Sequence, residues 1–60
     1  MSMQDLKNML TVIGIMWEYE AESDTLFFIK EDVCFVALGD FSGGILRVGY
    51  EHENEPGVLS

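Results

Sequence analysis

Sixty residues carry eleven acidic side chains against Lys7, Lys30 and Arg47, a net charge of −8. That balance excludes direct binding to DNA, RNA or an anionic membrane, and it points to a partner with a basic surface. A single cysteine excludes an internal disulfide, and an apolar content of 48% excludes a disordered acidic tail.

Ser2 with Asp5 forms a capping box in which Asp replaces the usual Glu. Met3, Leu6, Met9, Leu10 and Ile13 then recur at three- and four-residue steps. The spacing predicts an amphipathic helix from Met3 to Leu10 or a turn beyond, with Gly14 as its stop. The apolar stretch over 9–17 is interrupted by Thr11 and too short to span a membrane. It ends in acids rather than in a small-residue cleavage site, so the expected location is cytoplasmic.

Ile15, Trp17 and Tyr19 alternate with Met16, Glu18 and Glu20, predicting a strand over 15–20. A turn follows over 21–24. Thr25-Leu26-Phe27-Phe28-Ile29 is the densest aromatic and β-branched run and predicts a second strand, ending at Ile29 or Lys30. A tight turn at 30–32 leads to a third strand over 33–38, and a glycine-rich hairpin loop over 39–44 leads to a fourth from Ile45 to Tyr50 or Glu51. Residues 51–60 form an acidic tail in which Val58-Leu59 could add a stub of strand. The fold class is α+β in a single domain: an N-terminal amphipathic helix packed on a three- to four-stranded antiparallel meander.

The strands are apolar on both faces. Leu26 and Phe28 point one way, Phe27 and Ile29 the other, and Val33, Phe35 and Ala37 oppose Cys34, Val36 and Leu38. One short helix covers one face. A domain of this size buries only about 60% of the surface its unfolded chain exposes, so a second chain is expected to cover the other. The expectation is a homodimer with Phe27, Ile29 and Phe35 in its interface.

The run Y-E-A-E-S-D-T-L-F-F-I over 19–29 resembles the Y-D-x-E-x-D-x-L-Y-I signature of a family of short bacterial domains of unknown function. Gly39-Asp40 with Gly44-Ile45-Leu46-Arg47-Val48 is similar to that family's middle element, and Gly57-Val58-Leu59 to its closing strand. The resemblance spans residues 17–59. The N-terminal helix, the Phe41-Ser42-Gly43 insertion and the shortened last strand depart from it. It implies a small, mostly β fold and carries over no activity and no site.

Glu18, Glu20, Glu22 and Asp24 lie two apart, as do Glu51, Glu53 and Glu55. In extended chain each set lines one face with carboxylates about 6–7 Å apart. Such a ridge could occupy the nucleic-acid groove of another protein; a solvated face that discourages aggregation is the commoner meaning. Phe41, in the glycine-rich loop, either anchors a partner or folds back over the sheet edge.

Catalytic chemistry finds little support. A calcium loop spacing is absent, His52 has no second imidazole or thiol nearby, and Cys34 sits among Val33, Phe35 and Val36 as a small core hydrophobe. No metal, cofactor or catalytic residue is expected. The leading functional reading is a non-enzymatic acidic module that binds a basic protein and inhibits nucleic-acid binding. Phage anti-defence proteins and inhibitors of uracil-DNA glycosylase are similar in size and charge, and Glu22-Ser23 resembles a Glu-Ser at a strand start in the latter. The candidate partner-binding residues are Glu18, Glu20, Glu22, Asp24, Phe41, Glu51 and Glu53. An antitoxin-like protein that neutralises a larger partner is the alternative, and a small carboxylate-dependent enzyme ranks last.

Overall fold

The helix begins where its side chains can satisfy it. In the computed structural model, which describes residues 1–52, Ser2 Oγ accepts from the Asp5 N–H at 3.0 Å. Asp5 Oδ2 accepts from the Ser2 N–H at 3.3 Å. Both halves of the capping box are thus closed, and α1 runs Met3–Ile13. Gly14, at φ 86°, stops it in the left-handed conformation that suits glycine, and the Ile15 N–H returns to the Leu10 carbonyl at 2.8 Å. That bond holds Ile15 in the helix exit, so the next strand starts at Trp17, two residues later than the alternation predicts.

Four strands follow in a meander: β1 (Trp17–Glu20), β2 (Thr25–Lys30), β3 (Val33–Gly39) and β4 (Ile45–His52). Each is antiparallel to its neighbour, in the order β1-β2-β3-β4. The β2–β3 connection is two residues, Glu31 and Asp32, both at positive φ (53° and 66°). This is the pattern of a type I′ hairpin, built without the glycine it favours. Near its start β4 carries a bulge. Leu38 faces Arg47 and Gly39 faces Ile45, leaving Leu46 as the extra residue.

Directly opposed residues share a face, so the register assigns both sides of the sheet. Trp17, Phe28, Phe35 and Tyr50 form one row on the helix side, and Tyr19, Leu26, Ala37 and Val48 the next. Met3, Leu6 and Leu10 of α1 meet Leu26 and Ala37 to form the buried core, with Ile15, Trp17, Phe28 and Ile45 packed around it. The start of α1 is tied to the β3–β4 loop, where the Met3 N–H donates to the Gly43 carbonyl at 2.8 Å. Eleven residues make a helix only about 16 Å long. The aromatic row therefore extends past it: Phe28 stacks on Phe35 at 5.1 Å between centroids, and Phe35 meets Tyr50 at 6.1 Å.

The second side has no cover among the described residues. It carries Glu18 and Glu20 on β1, Phe27 and Ile29 on β2, Cys34, Val36 and Leu38 on β3, and Arg47 and Gly49 on β4. One expectation is corrected here. Phe35 cannot join Phe27 and Ile29 in a single interface, because its register with Phe28 sets it on the helix side. No helix among the described residues is long and apolar enough to cross a membrane.

Candidate functional site

Two features could carry function: the uncovered sheet face and the loop cluster around Asp24. The cluster comes from a turn that closes on a buried acid. Asp24 takes φ 54°, a conformation that Asp tolerates better than most residues, and is 6% exposed. Its carbonyl accepts from the Gly39 N–H at 2.8 Å, and a Cβ at position 39 would collide with its carboxylate. One carboxylate oxygen accepts from the Tyr19 hydroxyl at 2.6 Å, and the other from the Phe41 N–H at 2.8 Å. Asp24 thus ties β1 and the β3–β4 loop together through its carboxylate, and the end of β3 through its carbonyl.

The cluster perturbs its neighbours in ways that follow from those bonds. Donation to Asp24 favours the protonated phenol and raises the Tyr19 pKa, with desolvation and the negative charge of Asp24 adding to it. The Tyr19 ring lies under the Lys7 ammonium, 3.8 Å from its centroid. Trp17 donates from Nε1 to Thr11 Oγ1 at 3.1 Å, fastening β1 to the helix. In the loop, Asp40 Oδ1 accepts from the Ser42 and Gly44 N–H groups at 2.8 and 2.9 Å, and these bonds lower its pKa. Phe41, between Asp40 and Ser42, is at φ 68° and is 71% exposed.

Chemically the cluster is spent on structure. Both Asp24 oxygens have donors, and every buried side-chain nitrogen or oxygen among the described residues has a partner. No group of three potential metal ligands occurs among them either.

The predicted partner-binding residues therefore separate. Glu18 and Glu20 do share one face, as their alternation requires, and both are exposed. Glu22 is exposed in the turn. Asp24 leaves the ridge, because the left-handed turn points its carboxylate inward to Tyr19 and Phe41. Glu51 belongs to β4 opposite Cys34, and Glu53 lies outside the described residues with Glu55 and the 58–59 stub. Phe41 projects outward rather than folding back. Sequence reasoning missed the Asp24 node altogether. Its only signal is an Asp placed at the junction of a turn and an apolar strand, with Gly39 remote in sequence as its complement.

The uncovered face is the larger surface. Phe27 and Leu38 are each 37% exposed and Ile29 is 61% exposed, with Val36 between them and the two glutamates along one border. Where β2 runs past the start of β1, Met16, Trp17, Phe28 and Ile29 help line an open, mainly apolar groove of about 600 Å³. Such a combination, an apolar strip with a charged border, is what protein-binding surfaces present. A scan of family models and searches of curated proteins and of solved structures return no match to this chain.

Proposed function

We propose that this chain is a non-enzymatic protein-binding module that receives a basic partner on the open face of its sheet. The observation that carries the reading is the strip of Phe27, Ile29, Val36 and Leu38 bordered by Glu18 and Glu20. Burying the strip supplies affinity, and the glutamates steer and orient a cationic rim. Nucleic-acid-binding proteins are the partner class with the most extensive basic surfaces, and occupying such a surface would inhibit them. With Asp24 internal, the run from Glu18 to Asp24 gives this face a pair of glutamates rather than a ridge of four. The partner is therefore held by an apolar centre with charge at its border, rather than by charge alone.

Affinity capture from a host lysate, followed by binding measurements on the purified partner, tests the reading. Phe27→Asp should abolish retention, and Glu18→Gln with Glu20→Gln should weaken it and flatten its salt dependence. A partner held equally well by all three proteins would remove the open face from consideration.

A further inference from the structure

The open face carries opposite charges at its two borders. Its centre is apolar, with Ile29 61% exposed and Phe27 and Leu38 each 37% exposed. Glu18 and Glu20 stand on β1 and Arg47 on β4, three strands away, and all three are exposed. The register also places these charges in shared rows. Glu20, Thr25, Leu38 and Arg47 form one row across the face, and Glu18, Phe27, Val36 and Gly49 form the next.

We propose that two copies of this chain pack open face to open face about a two-fold axis that runs along the strands. An axis in the plane between two sheets can run along the strands or across them. Across them, β1 lies over β1 of the second copy, so Glu18 and Glu20 meet their own counterparts and Arg47 meets Arg47. Along them, each border lies over the opposite border, β1 over β4 and β2 over β3. Two chains of net charge −8 repel, so the arrangement that sets acid over cation is the one favoured.

The same axis fixes the rows. Rotation about it carries no shift along the strands, so each residue meets the row to which it belongs. Glu20 therefore meets Arg47 of the second copy, twice by symmetry, and Phe27 meets Val36. Packed sheets cross at about 30°, which slides the borders by roughly one residue, within the reach of an arginine. Gly49, beside Val36, leaves a hollow for the Phe27 ring: a Cβ there meets nothing within 4 Å in the single chain. The product is a four-layer sandwich with the helices outside and the apolar faces inside. It goes beyond partner binding and does not rest on it. Because both use one face, a partner binds only by displacing the second copy.

Sedimentation and carbodiimide coupling of the full chain test the arrangement. The wild type should be dimeric at micromolar concentration, and Phe27→Asp should be monomeric. Arg47→Glu should weaken the dimer by about tenfold or more, since it sets acid over acid twice. Adding Glu20→Arg should restore it, a recovery that a folding defect would not show. In Arg47→Lys, carbodiimide should join the amine at position 47 to Glu20 or Glu18 of another chain, read by mass spectrometry on mixed isotope-labelled and unlabelled protein. Within one chain these positions lie three strands apart, about 14 Å, too far for a direct amide. A monomeric wild type, a charge swap as weak as Arg47→Glu alone, or no coupling between chains would each overturn the proposal. So would a dimer that survives both Arg47→Glu and Phe27→Asp. Every readout uses the chain alone, so a failure to capture a basic partner leaves the dimer standing, and a monomer leaves the partner reading standing.

Discussion

Replacing Asp24 distinguishes an internal tie from a surface charge, because the two roles change different measurements. In Asp24→Asn the side chain keeps its tolerance of φ 54° and one oxygen acceptor. That oxygen can hold the Phe41 N–H, while the amide donates to a reversed Tyr19 hydroxyl, so the loss is confined to the charge-assisted part of two bonds. We expect about 1–2 kcal/mol of destabilisation. Asp24→Ala removes both acceptors and places Ala in a left-handed conformation, for about 2–4 kcal/mol in all. A chain of 60 residues has roughly 3–9 kcal/mol of total stability, so the alanine variant should show a clearly lower urea midpoint. Urea titration followed by circular dichroism gives both values. Tyr19→Phe closes a double-mutant cycle: it should lower the urea midpoint of the wild type and leave that of Asp24→Ala close to unchanged. If Asp24→Asn and Asp24→Ala both stay within about 0.5 kcal/mol of the wild type while partner binding falls, Asp24 belongs to the surface and the internal tie is wrong.

The perturbed groups also predict a stability profile with pH. Tyr19 has its folded pKa above the ordinary 10.0, so its contribution is complete below 10.0 and is lost as pH rises through the folded value. Asp40 has its folded pKa below the ordinary 3.8, so its contribution is complete above 3.8 and is lost as pH falls through the folded value. Urea midpoints across pH should therefore fall at both extremes, with Tyr19→Phe flattening the alkaline limb and Asp40→Asn the acidic one; unchanged limbs would refute those assignments. At the β2–β3 turn, Glu31→Asn with Asp32→Gly supplies the residues a type I′ turn favours at two positive-φ positions. This pair should raise stability by about 1 kcal/mol, and a fall in the urea midpoint would mean that the turn geometry differs.

Local rules made much of the fold legible. The Ser2–Asp5 box, the Gly14 stop and the period of Met3, Leu6 and Leu10 each encode a contact within a few residues, and each is present. The meander followed from connections too short for crossovers. What stayed hidden was long-range or depended on register. Phe35 was grouped with Phe27 and Ile29 because a strand apolar on both sides does not announce which side meets the helix; its pairing with Phe28 sets it on the helix side. Asp24 has the same spacing as Glu18, Glu20 and Glu22, and its inward turn is set by Tyr19, Gly39 and Phe41, the last seventeen positions away. The exposed Phe41 was visible as a candidate, but the carboxylate that holds its backbone was not.

The acids of this chain are more fully employed within it than the net charge suggests, and that bears on where a partner can sit. Asp5 caps the helix, Asp24 binds three elements, Asp40 shapes the β3–β4 loop, and Glu20 accepts from Ser23 at 3.2 Å. Glu31 and Asp32 form the hairpin turn. Glu18 and Glu22 accept no side-chain bond among the described residues, and of these two only Glu18 shares the open face with the apolar strip. A surface that recognised a basic partner by charge alone would need its acids free and grouped. Here many of them are dispersed into caps and turns, while Phe27, Ile29, Val36 and Leu38 adjoin one another on β2 and β3. In the proposed reading, recognition starts from Phe27, Ile29 and Leu38, with Glu18 and Glu20 setting direction. It follows that salt should weaken partner binding by less than loss of Phe27 does.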